Sequence, residues 1–466
     1  MTDREFPRVL AAEGISNFGS MLSRLVIPWL AVLTLQATPS QLAALLVADV
    51  AAAALGALLL GSLVDRSGKR AAMLLCDALR ALVLGLLAWG AWRGRLDFTL
   101  LLAAAAASGL LTVGFELARS AWMAQRAGLG DLSERNAQLS VAGSVSEAAA
   151  FALGGWLYQG LGAALALAVD ACSYLASALC LRGVRETPPV AREPPTPDAP
   201  AAPGAWRQLL QESADGLRAV AARPVLRALA GIESLLAFSM ALAGTSVMIF
   251  VSRDVGLPTG WLGMIFATGA LGSIAGASLA PRLGRRFGPG RTMAWGLALY
   301  TVGAACVPLV GSAGVLAVVL LVTQQIVGDA GHTLHDVHDR TLRQTAVPAE
   351  FLARADAGIR SAGQLATLAG ALAGGVLGDA LGARSVLWLA VVAGGAAALV
   401  AACTLARSRP GAPGRPGHSR LTICRACVPP SVPSVIGRPG QGADSGSRSS
   451  CLKASNSHDR MPTTSV

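Results

Sequence analysis

The chain has 466 residues, of which 53% are hydrophobic and only 14% are charged, and its mean hydropathy is +0.55. This composition excludes an ordinary soluble globular protein and indicates an integral membrane protein. The net charge of +11 does not indicate a nucleic-acid partner, because the arginines occupy short segments between apolar runs, where membrane topology accounts for them.

Apolar stretches of about 20 residues recur along the chain and predict transmembrane helices. The first half contains six, at 9–35, 41–64, 71–92, 98–122, 137–159 and 163–182. The second half contains six more, at 227–251, 259–280, 291–311, 314–337, 358–379 and 384–406. The first run is interpreted as a helix and not as a signal peptide, because it is of spanning length and carries polar residues. The prediction is an all-α membrane protein with twelve transmembrane helices.

Basic residues concentrate in every second connection between these helices. They include Arg66, Lys69 and Arg70; Arg126 and Arg135; Arg185, Arg207, Arg218 and Arg223; Arg282, Arg285 and Arg286; and Arg340, Arg343 and Arg354. Loops rich in Arg and Lys remain on the cytoplasmic side of a membrane, so both chain termini are expected in the cytoplasm.

The polar segment at 185–224 is predicted to be a cytoplasmic linker between two bundles, at 1–184 and 225–407. Its first part contains seven prolines and cannot be helical, whereas 206–222 has the pattern of an amphipathic helix on the membrane surface. The basic tail at 408–466, rich in proline, glycine and serine, is predicted to be disordered.

The two halves of the chain align after a shift of 220 positions. Leu161-Gly162-Ala163 falls on Leu381-Gly382-Ala383, and Glu116 falls on Asp336. Repeated sets of six helices predict two bundles related by an axis along the membrane normal, with a polar cavity between them.

A charged segment connects the second and third predicted helices. Its basic residues are costly to bury in lipid, so the segment is expected to lie at the membrane surface. Its characteristic residues are Gly61, Asp65, Arg66, Gly68, Lys69 and Arg70. This G-x-x-x-D-R-x-G-[RK]-[RK] pattern, set among twelve predicted helices, resembles the signature of the major facilitator superfamily. Within that superfamily the chain is similar to the bacterial drug:proton antiporters that include macrolide and enterobactin exporters, through features such as Asp77 with Arg80 in helix three.

The resemblance implies a secondary active transporter of the bacterial inner (plasma) membrane. It would export amphipathic small molecules, of drug or siderophore type, by alternating access and proton antiport. Its partners would be the substrate, protons and the bilayer, and it would act as a monomer without a cofactor or an enzymatic activity. Two departures leave a proton-coupled metabolite importer and a non-transporting membrane sensor open. Ala150-Phe151 stand where many antiporters have Gly-Pro, and helix four lacks the membrane-embedded arginine of many drug exporters.

Asp65 has no acidic counterpart in the second half, where Arg285 stands at the equivalent position. We therefore predict that the charged segment is a gating element, in which Asp65 holds the cytoplasmic side closed through charge-assisted bonds across the two bundles.

Polar and charged residues inside membrane spans are costly to bury, so they are candidates for proton or substrate handling. The candidates are Asn17, Arg24, Asp49, Glu116, Glu147, Asp170, Glu233, His332 and Asp336. Arg24 and Asp49 lie at similar depth, and two interpretations remain open. Either Asp49 takes up a proton and releases Arg24, or the two form a permanent buried ion pair. Glu147, near mid-membrane, is the preferred single carboxylate for proton or cation recognition.

Helix ten carries an unusual group of histidines and aspartates near its cytoplasmic end. His332, His335, Asp336 and Asp339 share one helical face. The favoured interpretation is a solvated helix end, while proton or substrate handling and a divalent-metal site are the alternatives. No metal site is assigned, because one helix rarely supplies all the ligands.

Overall fold

The computed structural model describes residues 5–66, 68–126, 129–185, 218, 220–346 and 349–405. Most of the predicted linker, including nearly all of the amphipathic helix at 206–222, lies outside the described residues, and so does the predicted tail at 408–466.

The regular structure in the described residues is helical. The N-terminal bundle contains α1 (Glu5–Trp29), α2 (Pro39–Arg66), α3 (Lys69–Trp92), α4 (Phe98–Arg126) and the run Leu129–Arg182. Gly162 interrupts that run with φ 76° and ψ 170°, so residues 129–161 form α5 and residues 163–182 form α6. Glycine suits this position because it adopts positive φ without steric cost.

The C-terminal bundle repeats this order. It contains α7 (Pro224–Ile249), α8 (Thr259–Ala267 and Gly269–Phe287), α9 (Pro289–Cys306), α10 (Val315–Thr323 and Asp329–Ala346, joined by the π-helical turn Gln324–Gly328), α11 (Ala349–Leu381) and α12 (Ala383–Thr404). Proline starts α7 and α9, at the first helical turn, where its missing N–H removes no helical hydrogen bond.

Ten helical runs among the described residues are long and apolar enough to cross a membrane. One of the ten, Glu134–Arg182, contains the break at Gly162 and corresponds to two spans. In addition, α9 occupies the place of the ninth predicted span. The all-α membrane fold is therefore confirmed, and the helices are consistent with twelve spans.

The 220-residue repeat is present in the backbone as well as in the sequence. Gly382 separates α11 from α12 with φ 82°, just as Gly162 separates α5 from α6 with φ 76°. Both α1 and α7 end in π-helical turns, Leu30–Thr34 and Phe250–Asp254, at equivalent positions. The two bundles are thus structural repeats.

A capping box fixes the start of α2. The Thr38 backbone N–H donates to Gln41 Oε1 (3.0 Å), and the Gln41 N–H donates to Thr38 Oγ1 (3.3 Å). Two backbone donors that lack helical partners are satisfied reciprocally in this way.

Side-chain hydrogen bonds connect the ends of several helices at one end of the N-terminal bundle. Arg8 at the start of α1 donates to the carbonyl of Gly183, and Arg70 at the start of α3 donates to those of Leu181 and Arg182. We call this the terminal end, because α1 begins there. The opposite end, where α1 finishes and α2 begins, is called the far end.

The two bundles meet at the far end through equivalent backbone contacts. Gly155 of α5 packs on the backbone of Thr259 and Gly260 at the start of α8. Its repeat counterpart, Gly375 of α11, packs on Pro39 and Ser40 at the start of α2. Glycine permits these close crossings because no Cβ separates the helices.

A shared apolar core also joins the bundles at the far end. It contains Trp29 and Leu42 from one bundle and Phe250 and Leu262 from the other. Towards the terminal end, separate clusters of buried residues lie within each bundle, one around Trp122 and another around Met293. The bundles are therefore packed together at the far end, whereas each has its own core towards the terminal end.

Candidate functional site

A cavity of about 480 Å³ lies in the N-terminal bundle and reaches α7 of the other bundle. Apolar side chains form much of its wall. They include Met21, Ile27, Leu42, Leu45, Leu46, Val113 and Phe115. Gly244 and Thr245 of α7 complete it. A concave, largely apolar site with a few polar groups is typical of small-molecule binding.

Four of the predicted site residues line this cavity: Asn17, Arg24, Asp49 and Glu116. Asn17 Nδ2 donates to the carbonyl of Gly143 (3.0 Å), so this side chain also ties α1 to α5. Glu116 exposes its side chain on α4. The structure thus brings together on one wall residues that the sequence separates by about a hundred positions.

Arg24 and Asp49 interact electrostatically across the cavity without a direct ion pair. Arg24 is exposed, and the Asp49 carboxylate packs over Gly109 of α4, where no side chain intervenes. The interpretation as a permanent buried ion pair therefore does not fit this conformation. A long, flexible arginine beside an acid in an accessible cavity leaves both groups available to a substrate or a proton.

A buried polar network lies behind the cavity wall. Asp77 is fully buried, accepts a hydrogen bond from Ser177 Oγ (2.7 Å) and lies 3.6 Å from Arg80 Nη1. Arg80 lines the cavity, and its guanidinium carbon lies 5.3 Å from the ring centre of Phe115 and 5.1 Å from that of Tyr174. The signal for this network in the sequence is an acid and a base three residues apart inside an apolar helix.

Asp170 is fully buried and does not line the cavity. It accepts hydrogen bonds from Ser23 of α1 and from Ser173 Oγ (3.3 Å), and it faces Gly19 closely. These contacts fasten α6 to α1. The geometry therefore favours a structural role for this carboxylate over direct contact with a substrate.

Helix four carries an arginine near the end of its membrane-length part. Arg119 Nε lies 3.4 Å from Glu13 Oε2, and both side chains are mostly buried. Arg119 lies only a few residues from the predicted end of helix four, whereas α4 extends to Arg126, and the absence of a membrane-embedded arginine from this helix stays a prediction.

Three of the acidic and histidine residues of α10 are packed inside the C-terminal bundle. His335, His338 and Asp339 are buried, so the favoured interpretation as a solvated helix end was wrong. The cause is packing of the polar face against α7 and α8: His335 Nε2 lies 3.8 Å from Glu233 Oε2, and His338 Nε2 lies 3.1 Å from the carbonyl of Ala280.

Two other predicted residues of this helix have different surroundings. The ring of His332 lies 6.2 Å from that of Tyr300 in α9 and 6.3 Å from that of His335. Asp336 is partly exposed and forms an ion pair with Arg340 one turn later (2.9 Å), which is an ordinary helix-surface pair. Across the described residues, no group of three or more His, Cys, Asp or Glu side chains is arranged to hold a metal ion.

Glu147 of α5 is exposed and interacts electrostatically with Asp329 of α10, in the other bundle. Asp329 packs over Gly269 of α8. The repeat relates this contact to that of Asp49 with Gly109, but the acid and the glycine have exchanged helices. Each bundle therefore places one aspartate at the same helix crossing.

The basic residues of the charged segment between α2 and α3 form hydrogen bonds with the ends of neighbouring helices. Gly68 precedes α3, Lys69 is buried and donates to the carbonyl of Val64, and Arg70 bonds to the end of α6. Gly61 and the side chains of Asp65 and Arg66 lie outside the part whose side-chain surroundings are described, so their gating role stays a prediction.

The family model of the Major Facilitator Superfamily matches residues 9–333 of this chain. The chain belongs to the major facilitator superfamily. It is therefore a multi-pass membrane transporter and not an enzyme, and a small molecule is its expected class of substrate. No curated protein matches the sequence.

Solved structures of transporters share the fold of this superfamily member at low sequence identity. The nucleoside transporter NupG has a TM-score of 0.66 at 15% identity, with 86% of this chain and 98% of that chain covered. A bacterial homologue of the iron transporter ferroportin has a TM-score of 0.66 in its inward-facing state, at 17% identity and with 88% of this chain and 100% of that chain covered. In the outward-facing state the TM-score is 0.53, at 17% identity and with 86% and 99% covered.

Proposed function

We propose that this transporter exports amphipathic small molecules, of drug or siderophore type, across the inner membrane by alternating access coupled to proton antiport. The observation that carries the proposal is the cavity of about 480 Å³, whose wall is largely apolar but holds the charged groups of Arg24, Asp49 and Glu116. Apolar walls bind the body of an amphipathic molecule, and a few charged groups orient its polar part.

The arrangement of the bundles supports loading from the terminal end. Tight glycine crossings and a shared apolar core close the far end. The higher TM-score to the inward-facing structure than to the outward-facing one agrees with this. With the terminal end in the cytoplasm, as the basic connections predict, an exporter would take up its substrate in this conformation.

Proton coupling is supported by the chemistry of the cavity. The chain contains no G-x-x-x-x-G-K-[ST] motif for ATP, so an ion gradient is the expected energy source. Asp49 and Arg24 attract each other electrostatically without a fixed ion pair, and a proton on Asp49 would remove this attraction and leave Arg24 to a substrate. Substrate and proton would then compete for one charged wall.

The test is a susceptibility screen of a drug-sensitive bacterial host against a compound panel, with the intact gene, with Asp49→Asn and with Ser108→Ala. Ser108 lines the same cavity but carries no charge. Resistance to at least one compound is expected with the intact gene and with Ser108→Ala, and its loss with Asp49→Asn. No change for any compound, together with no substrate-induced proton release from everted vesicles, would reject export. Growth dependent on one metabolite would favour the importer instead.

The gating role of Asp65 is tested separately. Asp65→Ala is expected to abolish transport while insertion into the membrane is unchanged. Normal transport by this variant would show that the charged segment has no gating role and serves only as a turn and a cytoplasmic anchor.

A further inference from the structure

The most unusual buried group outside the cavity is a four-residue cluster in the C-terminal bundle, which we call the His335 cluster: Glu233 of α7 with His335, Asp339 and Arg343 of α10. Arg343 Nη2 lies 2.5 Å from Asp339 Oδ2 and 3.6 Å from Glu233 Oε2. His335 Nε2 lies 3.8 Å from the same Glu233 oxygen. Glu233 therefore sits between an arginine and a histidine.

Three polar atoms of this cluster are buried and have no hydrogen-bond partner among the described residues. They are His335 Nδ1, Asp339 Oδ1 and Arg343 Nε. Such atoms cost stability, and they are rare in proteins unless function retains them. His335 has the most buried side chain of the three residues, since it is only 2% exposed.

The charges of the cluster are unbalanced when His335 is neutral. Two carboxylates, Glu233 and Asp339, contact the single guanidinium of Arg343. A third carboxylate, Asp356 of α11, lies at the rim, 3.9 Å from Arg343 Nη1. Protonation of His335 adds the positive charge that the cluster lacks, and imidazole is the side chain that titrates near neutral pH.

His332 is a second imidazole close to the cluster, and it interacts electrostatically with both Glu233 and His335. His332 of α10 contacts the ring of Tyr300 in α9, Asp336 is bound to Arg340, and α8 faces this helix through the carbonyl of Ala280, which His338 contacts. Glu233 is the most exposed of the four residues, since its side chain is 34% exposed, against 15% for Arg343, 4% for Asp339 and 2% for His335. A proton would therefore pass through Glu233 to Nε2 of His335.

The equivalent position of the N-terminal bundle has no imidazole. The repeat counterparts of Glu233, Asp339 and His335 are Glu13, Arg119 and Phe115. Glu13 forms an ion pair with Arg119 and also interacts electrostatically with Glu116 and Arg80. An imidazole beside this glutamate is thus a feature of the C-terminal bundle and not of the N-terminal one.

We propose that Glu233 and His335 form a second proton-binding site of this transporter, outside the substrate cavity and in addition to Asp49, through which the proton gradient also drives transport. This inference rests on the proposed proton antiport. In the unprotonated state Glu233 is held by Arg343, whereas a protonated His335 competes for Glu233 and loosens that bond. Because α7 also lines the cavity through Gly244 and Thr245, the change reaches the substrate wall.

A direct test uses the full-length protein labelled with ¹⁵N-histidine, since the chain contains only five histidines. We expect one imidazole to titrate with a midpoint that shifts when Glu233 is replaced by Gln. His335→Gln should remove that signal. His338→Gln is the matched control, because His338 is buried on the same helix but contacts a backbone carbonyl, and it should leave the signal in place. A titration unchanged by Glu233→Gln, or lost in the control, would overturn the proposal.

A second measurement covers the case in which His335→Gln does not fold. In proteoliposomes, Glu233→Gln should lose proton-driven accumulation of a compound identified in the susceptibility screen, yet keep its downhill exchange. Retained accumulation would refute the coupling site. Absence of any transport by the unaltered protein would instead refute the proposed function, while the titration still decides whether the site binds a proton.

Discussion

Glu13 of α1 and Glu233 of α7 occupy the same position in the two halves of the chain, and each carboxylate meets an arginine from the fourth helix of its own bundle. The separations are 3.4 Å from Glu13 Oε2 to Arg119 Nε and 3.6 Å from Glu233 Oε2 to Arg343 Nη2. The arginines themselves are not repeat counterparts, since Met123 stands at the position of Arg343. The two halves thus retain an acid and provide its partner from different helical turns.

Arg119→Gln is expected to destabilise the protein by about 1–3 kcal/mol, because it leaves the mostly buried Glu13 without its cation. The free energy of unfolding in mixed micelles is the measurement, and adding Glu13→Gln should restore part of the loss. Arg340→Gln is the control, since its side chain is 72% exposed and its pair with Asp336 contributes less than about 1 kcal/mol. Equal losses for both variants would contradict the prediction.

Asp77→Ala is expected to destabilise the protein by about 3–5 kcal/mol, because it leaves Arg80 buried without its acid. Ser177→Ala removes only one hydrogen bond to Asp77 and should cost about 1 kcal/mol. Circular dichroism during thermal unfolding compares the two. If the variants unfold at the same temperature, Asp77 does not compensate Arg80.

Gly155→Ala is expected to weaken closure of the far end, because an added Cβ would collide with the backbone of Thr259. Gly160→Ala lies one turn later, where a Cβ meets nothing within 4 Å, and serves as the control. A cysteine placed at the exposed Thr38 in a cysteine-free background reports the state of this end. Its reaction with an impermeant maleimide should be faster in the first variant only; equal rates in both would show that the crossing does not hold the bundles together.

Asp49→Asn is expected to abolish export while leaving the amount and thermal stability of the protein unchanged, because Asp49 is not held in a fixed ion pair. Vesicle accumulation of a resistance-screen compound, normalised to protein content, is the readout. A variant that transports normally would show that Asp49 takes no part in coupling or in substrate binding. A variant that unfolds would show that the acid supports the α2–α4 crossing instead.

The repeat could be predicted from the sequence because it is a local property. Gly162 and Gly382 occur in matching Leu-Gly-Ala triplets, and both separate consecutive helices. The π-helical ends of α1 and α7 had no signal, since Leu30–Thr34 and Phe250–Asp254 have different residues and ordinary helical propensity.

From the sequence, the candidate site was predictable only as a set of polar and charged residues that are costly to bury in a membrane. Arg24, Asp49 and Glu116 could be recognised one by one, but their meeting on one wall depends on packing between distant helices. In α10 the polar face of the helix led to the prediction of a solvated helix end, which was wrong. Burial of His335 against Glu233 shows that the polar face of a membrane helix can instead pack against a partner within its bundle.

The single residue that separates α5 from α6, and likewise α11 from α12, leaves little chain exposed at the far end. The other connections there, at 35–38, 93–97, 255–258 and 307–314, are also short. Proteases or antibodies applied from that side would find few segments to cleave or to recognise. Digestion of oriented vesicles should therefore cut the chain from one face only, and the face that yields fragments would assign the orientation of the protein in its membrane.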